Sequence, residues 1–189
     1  MKFRVLGNTG LLVSEIGFGA WGIGGNNEGA LAYGPTEDGE SIDAVRRAFD
    51  LGVNFYDTSD LYGYGHSEKL LGRALRKVRS EVIIASKSGF IRGASGQDFT
   101  PLAVKRSIEA SLQRLGTDYI DLYQLHSPPI DVLSSEMGLI PMLKDCVREG
   151  KIRAYGISVR TPEDAYHVVD GYGFSAIQMN FNLVDQRAL

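Results

Sequence analysis

Residues 52–68 read GVNFYDTSDLYGYGHSE, and this segment sets the pattern for the rest of the chain. It opens with a short apolar run, 53–56, and becomes polar at Asp57, with Tyr62 five positions later. A short apolar run between turn signals is typical of a buried parallel strand. In barrels built from parallel strands, reactive side chains lie at the carboxyl ends of the strands. Asp57 and Tyr62 are therefore the first candidates for a functional site.

The same strand pattern recurs along the chain, separated by segments whose apolar residues have helical spacing. Apolar runs that predict strands begin near residues 16, 53, 82, 120, 152 and 175. Predicted helices cover residues 36–51, 66–75, 100–115, 136–149 and 161–170. Thr36 is expected to cap the first of these helices. Regular alternation of strand and helix predicts a parallel sheet with right-handed crossovers.

The predicted fold class is α/β, a (β/α)8 barrel of the TIM type preceded by a β-hairpin over residues 2–14. Each strand is apolar almost throughout, as expected when both faces of a sheet are covered. Residues 19–24 lack the glycine spacing of a dinucleotide-binding turn, which favours the barrel over an open nucleotide-binding sheet. A closed barrel needs eight strands and about 250 residues. With about six strands, residues 1–189 are expected to form a single, C-terminally truncated domain with an incomplete barrel.

Composition narrows the class of protein. The 189 residues are 43% hydrophobic and 23% charged, which is ordinary for a globular domain, and the net charge is −3. No dense cluster of Lys and Arg suggests nucleic acid or an anionic membrane as a partner, and no apolar run approaches a membrane span. Cys146 is the only cysteine, and the N-terminus lacks the apolar core of a secretory signal. We therefore expect a cytoplasmic protein.

Polar side chains follow the other predicted strands as Asp57 follows its own. Lys87, His126 and Ser158 come directly after their strands, and Gln178 lies near the end of the sixth. Since the carboxyl ends of barrel strands share one face, these groups are expected to converge. Each alone has an ordinary explanation, such as a turn cap, a solvated lysine or a loop histidine. Together they form a coherent set for proton transfer.

The chemistry of this set favours carbonyl reduction. Tyrosine is a weak acid, with a pKa of about 10, and a nearby ammonium stabilises its ionised form. Lys87 could therefore make Tyr62 a usable general acid, Asp57 could hold Lys87 in place, and His126 could orient a carbonyl. No nucleophile paired with this His is evident, and the three His residues lack metal-ligand spacing, so no metal site is predicted. An acid and a polarising group without a nucleophile suggest an external hydride donor.

Several long stretches of the chain resemble the aldo-keto reductase family. They are GFGAWGIGG (17–25), GVNFYDTSDLYGYGHSEKLLGRAL (52–75), IIASKSG (83–89), SLQRLGTDYIDLYQLHSP (111–128), GKIRAYGIS (150–158) and IQMNFNLVDQR (177–187). The resemblance implies that Asp57, Tyr62, Lys87 and His126 form the family's catalytic tetrad, with Tyr62 as proton donor. It also implies an aldehyde or ketone as the small-molecule substrate, and NADP or, less often, NAD as the cofactor.

The resemblance further implies a set of cofactor-binding residues. These are Gly19, Trp21, Asp57, Ser158 and Gln178. Many family members have Asn after the Ser of the Gly-Ile-Ser motif, where this chain has Val159. One hydrogen bond to the cofactor carboxamide is then expected to be lost, or to come from Gln178 or the backbone.

Three interpretations follow from the missing strands. The family's last two β/α units grip the adenosine 2′-phosphate and back the nicotinamide, and they have no counterpart in these residues. The chain could be the N-terminal part of an NADP-dependent carbonyl reductase that is itself inactive, or an enzyme whose missing strands come from another chain. It could also be a non-catalytic nucleotide-binding or regulatory module of the same fold. Exposed sheet edges would favour self-association.

Overall fold

The computed structural model describes residues 1–26, 29–133, 136, 138–169 and 171–189. Its strands are β1 (Phe3–Val5), β2 (Leu12–Ser14), β3 (Phe18–Gly19), β4 (Phe55–Asp57), β5 (Ile83–Ser88), β6 (Ile120–His126), β7 (Ile152–Ser158) and β8 (Ala176–Gln178). Its α-helices are α1 (Asp38–Asp50), α2 (His66–Leu75), α3 (Pro101–Leu115), α4 (Leu139–Arg148) and α5 (Pro162–Val169). Short 3₁₀ helices lie at Gly22–Gly24, Tyr62–Gly65, Arg76–Glu81 and Ile130–Leu133.

Six of the described strands form one parallel sheet. The order β3-β4-β5-β6-β7-β8 follows the chain, and each consecutive pair is parallel. β1 and β2 form a separate antiparallel hairpin before the sheet. A parallel sheet whose strands are added in chain order, with a helical connection between neighbours, is the arrangement of a (β/α) barrel. The predicted class, the hairpin and the six strands are confirmed.

Two clusters of apolar residues cover the two faces of this sheet. The larger one joins the strands to the helices and includes Tyr56, Leu70, Ile108 and Leu125, which are fully buried. The smaller one lies on the face of the sheet that the helices do not cover and consists of three alanines and one leucine. Its members are Ala85, Leu122, Ala154 and Ala176, with Leu6 and Phe55 packed against them. Coverage on both faces explains why most residues of the strands are apolar, apart from the polar ones near their carboxyl ends and a few others such as Asp121.

Some predicted boundaries were wrong. Thr36 does not cap α1, since the N-cap is Glu37 and no side chain bonds there; Thr36 Oγ1 instead lies 3.4 Å from the Ile23 carbonyl oxygen. The first strand is shorter than predicted, covering only 18–19. The fourth predicted helix begins at Leu139 and not near 136, and the predicted end of the fifth at residue 170 lies outside the described residues.

Among the described residues, no helix is both long and apolar enough to cross a bilayer.

The hairpin turn is tied to the far edge of the sheet. Asn8 N–H donates to the Ser175 carbonyl oxygen at 2.8 Å, just before β8. Gly7 has φ +49°, and a Cβ built on it would lie 2.2 Å from that same oxygen. Only glycine allows both this backbone conformation and this close approach.

Gly7→Ala should therefore destabilise the fold by at least about 2 kcal/mol, since the substitution adds a steric clash to a left-handed backbone. Gly10→Ala is the matched control, because Gly10 has φ +70° in the same turn but has nothing within 4 Å of the position that a Cβ would occupy. That control should cost about 1 kcal/mol. Urea denaturation measures both, and equal losses would show that the contact with Ser175 does not constrain the turn.

Candidate active site

A buried lysine lies at the centre of the site. Lys87, on β5, is only 2% exposed. Its Nζ donates to Asp57 Oδ1 at 2.6 Å and to the Thr58 carbonyl oxygen at 2.9 Å, and it lies 3.4 Å from the Tyr62 hydroxyl. A buried ammonium is tolerable only when opposite charge and hydrogen-bond acceptors surround it. Two of the residues selected from the sequence, Asp57 and Tyr62, therefore meet around the Lys87 ammonium.

The turn that follows β4 positions Tyr62. Gly63, Tyr64 and Gly65 have positive φ values in this turn. The chain therefore changes direction sharply there, and α2 begins at the next residue. A Cβ on Gly63 would lie 2.1 Å from the Gly24 carbonyl oxygen. The loop after β3 thus packs directly on this turn and holds the tyrosine beside Lys87.

The side-chain amide of Gln178 orients the second carboxylate oxygen of Asp57, Oδ2. Gln178, at the end of β8, donates from Nε2 to Asp57 Oδ2 at 3.2 Å. Gln124 Nε2, on β6, donates in turn to Gln178 Oε1 at 3.3 Å. The Asp57 carboxylate is therefore oriented by contacts to Lys87 and Gln178, from β5 and β8.

His126 ends β6 and lies beside the tyrosine. Its Nδ1 is 3.2 Å from Ser59 Oγ, and its ring makes edge-on contacts with Phe90, at 4.9 Å between centroids, and with Tyr62, at 6.1 Å. Burial, the Lys87 charge and the Arg160 charge lower the pKa of His126 from 6.5 to about 3. The imidazole is therefore neutral at physiological pH and carries a single N–H.

Ser158 ends β7 directly opposite His126 in the parallel register. Its Oγ accepts a hydrogen bond from Ser127 N–H at 3.0 Å and lies 3.2 Å from Ser127 Oγ. Ser127 has φ +53°, so the chain turns sharply as it leaves β6. This turn keeps the end of β6 next to the end of β7.

Two cavities meet at Tyr62 and His126. The larger, of about 830 Å³, has mainly aromatic and aliphatic walls that include Trp21 and Phe90. The smaller, of about 270 Å³, is polar and is lined by Lys87, Ser158, Gln178 and Asn180 among others. Both Tyr62 and His126 line each of them. A molecule in either cavity can therefore reach these two side chains.

The two remaining predicted residues lie at the edge of the site. Trp21 is 38% exposed, its Nε1–H donates to the Leu31 carbonyl oxygen at 2.8 Å, and its ring lies 6.5 Å from that of Tyr62. Gly19 pairs with Asp57 in the sheet register, and the space beside it is open. It lines a separate cavity of about 460 Å³ together with Asp57 and Gln178. All the predicted residues thus lie in one region, and Gly19 lines a third cavity that it shares with Asp57 and Gln178.

The polar residues were predicted to follow the strands directly, and this placement was wrong by one or two residues. Asp57, His126 and Ser158 are the last residues of their strands, and Lys87 precedes the last residue of β5. The reason is that parallel pairing continues through them, as in the pair His126↔Ser158. The side chains therefore sit on rigid strands and not on the loops that follow.

Sequence reasoning missed several residues that shape the site. Gln97 Nε2 donates to the carbonyl oxygens of His126 and Ser127, at 3.0 and 3.2 Å, and so ties the loop after β5 to the end of β6. Phe90 lies on the same loop and covers His126. Neither residue has a periodic signal in the sequence. Ser59 could have been noticed, because it lies two positions after Asp57 in the segment that decides the fold.

The order of the parallel strands and the polar residues at their carboxyl ends define an α/β protein of the (β/α) barrel type. Comparison with known proteins identifies the family: the model of the Aldo/keto reductase family matches residues 15–189. The chain belongs to the aldo-keto reductase family of NAD(P)H-dependent oxidoreductases.

Two curated relatives and one solved structure illustrate this membership. L-galactose dehydrogenase of Arabidopsis thaliana is 42% identical over 164 residues, covering 84% of this chain and 48% of that protein. NADH-specific methylglyoxal reductase of Escherichia coli is 33% identical over 98% of this chain and 60% of that protein. The holo form of an aldo-keto reductase from Bacillus halodurans superimposes with a TM-score of 0.83 at 34% identity, covering 96% of this chain and 58% of that one. The chain thus spans about half to three-fifths of these relatives.

The low pKa of His126 gives a direct prediction. Between pH 5 and 8 the ring should stay neutral, so its NMR signals should not titrate, because burial and the charges of Lys87 and Arg160 oppose protonation. Spectra of the protein, with the His126 signal assigned by its loss in His126→Asn, measure this. A titration midpoint near 6.5 would show that the ring is solvated and far from the Lys87 charge.

Proposed function

We propose that this protein reduces an aldehyde or ketone to an alcohol, with hydride from a nicotinamide cofactor and a proton from Tyr62. One observation carries the proposal: the Tyr62 hydroxyl lies 3.4 Å from the buried Lys87 ammonium, where the apolar and polar cavities meet. A proton donor at that boundary can reach a carbonyl oxygen in one cavity beside a hydride donor in the other.

Lys87 makes Tyr62 an effective acid in this proposal. As Tyr62 gives up its proton, negative charge develops on the phenolic oxygen next to a cation that is already in place. At such distances and an effective dielectric constant of about 20, a full charge pair would gain roughly 4 kcal/mol. Asp57 and the Thr58 carbonyl hold the ammonium before the reaction begins, so little reorganisation is needed.

His126 is the second group that would contact the substrate oxygen. A neutral imidazole with its N–H on Nε2 can donate a hydrogen bond to a carbonyl without competing with Tyr62 for the role of acid. Since His126 and Tyr62 line the same cavity, both can bond one oxygen. That pair of donors would fix the carbonyl and polarise it toward hydride attack.

The polar cavity fits the carboxamide end of a nicotinamide cofactor. Its wall offers the Ser158 hydroxyl and the amides of Gln178 and Asn180, which can donate to and accept from a carboxamide. A bound nicotinamide would supply the hydride. We infer NADP as the cofactor because it is the usual one in the family. NAD is the alternative, since one relative is described as NADH-specific. Trp21 and Gly19 would border the bound cofactor and substrate.

The apolar cavity suggests the kind of substrate. Aromatic side chains, Trp21, Tyr64 and Phe90, form much of its wall. Such walls can bury an apolar or planar carbonyl compound, while the hydrogen bonds from Tyr62 and His126 orient it. We therefore propose a small aldehyde or ketone, with selectivity set by the loops that carry Trp21 and Phe90.

Tyr62→Phe should lower turnover of a simple aldehyde such as benzaldehyde by on the order of 10² to 10⁴, because it removes only the proton donor. Cofactor binding, followed by quenching of protein fluorescence, should be unchanged. Tyr166→Phe, at an exposed position on α5, is the control. Turnover that survives in Tyr62→Phe would assign the proton to another group.

A further inference from the structure

Ser59 is the one polar neighbour, within the described residues, whose side chain reaches a ring nitrogen of His126. It is fully buried between β4 and the turn at 62–65. Its Oγ lies 3.2 Å from His126 Nδ1, and His126 also lines the two cavities. Ser59 therefore acts on Nδ1 of His126, which leaves Nε2 as the ring nitrogen that can contact a substrate.

The backbone fixes the Ser59 hydroxyl in position. Leu61 N–H donates to Ser59 Oγ at 3.1 Å, which uses one of its two lone pairs. Its own proton has three acceptors within reach: His126 Nδ1 and the Lys87 carbonyl oxygen, both at 3.2 Å, and Asp60 Oδ1 at 3.4 Å. The hydroxyl therefore has one proton to give and a choice of recipients.

Two observations favour His126 as that recipient. The Lys87 carbonyl oxygen already accepts from Asp60 N–H at 3.0 Å, and the Asp60 carboxyl is a weakened acceptor. Burial and the charge of Glu68 raise the pKa of Asp60 to about 7, against the opposing effect of Arg114. Near neutral pH a large share of Asp60 is thus uncharged and is a weaker acceptor for the Ser59 proton. It is also the most distant of the three acceptors.

The neutral imidazole of His126 can carry its hydrogen on either nitrogen, and the partner of one nitrogen decides the tautomer. A hydroxyl that donates to Nδ1 leaves the N–H on Nε2. That is the tautomer with which His126 can donate to a substrate carbonyl.

We propose that Ser59 is a positioning residue that donates to His126 Nδ1 and so holds the Nε2–H tautomer needed to bind the carbonyl. This inference rests on the proposed function for the use of that tautomer. The tautomer itself can be measured without turnover, so the two can fail separately. Ser59 does not touch substrate or cofactor and acts only through His126.

The first test is the tautomer of His126 in the protein labelled with ¹⁵N at histidine. Long-range ¹H–¹⁵N correlations should show hydrogen on Nε2 in the unmodified protein, with the signal assigned by its loss in His126→Asn. In Ser59→Ala the same signal should become a mixture of tautomers or the Nδ1–H form. Hydrogen on Nδ1 in the unmodified protein, or an unchanged tautomer in Ser59→Ala, would overturn the proposal.

The second test is kinetic. Ser59→Ala should lower kcat/KM for benzaldehyde roughly tenfold to hundredfold, as expected for weakening one donor to the reacting oxygen. Cofactor binding should stay unchanged, and Ser59→Thr, which keeps the hydroxyl, should recover activity. If the unmodified protein shows no turnover, the proposed function fails while the tautomer measurement still decides the role of Ser59.

Ser14→Ala is the matched control for both tests. Ser14 is also buried, and its hydroxyl also accepts from a backbone N–H, that of Asn54, and donates to a backbone carbonyl, that of Ile16. It lies on β2, and the His126 tautomer and kcat/KM should stay as in the unmodified protein. Equal effects of Ser14→Ala and Ser59→Ala would show that loss of any buried hydroxyl is enough, which would also overturn the proposal.

Discussion

The ion pair between Lys87 and Asp57 is the interaction on which the rest of the site depends. Burying an ammonium costs several kcal/mol unless a counter-charge and acceptors replace its water. The parallel pairing of β4 with β5 brings the two side chains together, and the Thr58 carbonyl provides a further acceptor. Because the cation is fixed by two adjacent strands, Tyr62 needs only a turn of the right shape to lie beside it.

The loops after β3 and β5 form the rest of the site around the residues that the strands carry. The close approach of Gly24 and Gly63 presses the loop after β3 onto the turn that carries Tyr62. On the other side, Gln97 holds the loop after β5 against the end of β6, so that Phe90 covers His126. Rigid strands thus carry the charged groups, while loops form the walls that meet a substrate. This division suits a fold in which chemistry is kept and specificity varies.

The sequence predicted Asp57, Lys87 and His126 because each stands at or near the end of an apolar run. Tyr62 could be predicted because it lies five positions after Asp57 in the same loop. Asp57 and His126 could be found from strand periodicity and residue type alone, although the strands extend through them and do not stop before them. Gln97 and Gln124 could not be found in this way. Their roles depend on hydrogen bonds between elements far apart in the chain, and such partners leave no periodic signal. Similarly, the turn at Gly7 was visible in the sequence, but its contact with Ser175 was not.

The most direct measurement is deuterium transfer to benzaldehyde from reduced nicotinamide adenine dinucleotide phosphate that carries deuterium at both C4 positions, followed by mass spectrometry of the alcohol. The protein should place one deuterium on the carbinol carbon. The double variant Lys87→Met/Asp57→Asn removes the ion pair without leaving a buried charge unpaired, and it should transfer deuterium at least about 100-fold more slowly. Absence of transfer by the unmodified protein, or equal rates in the double variant, would contradict a catalytic role for the Lys87–Asp57 pair.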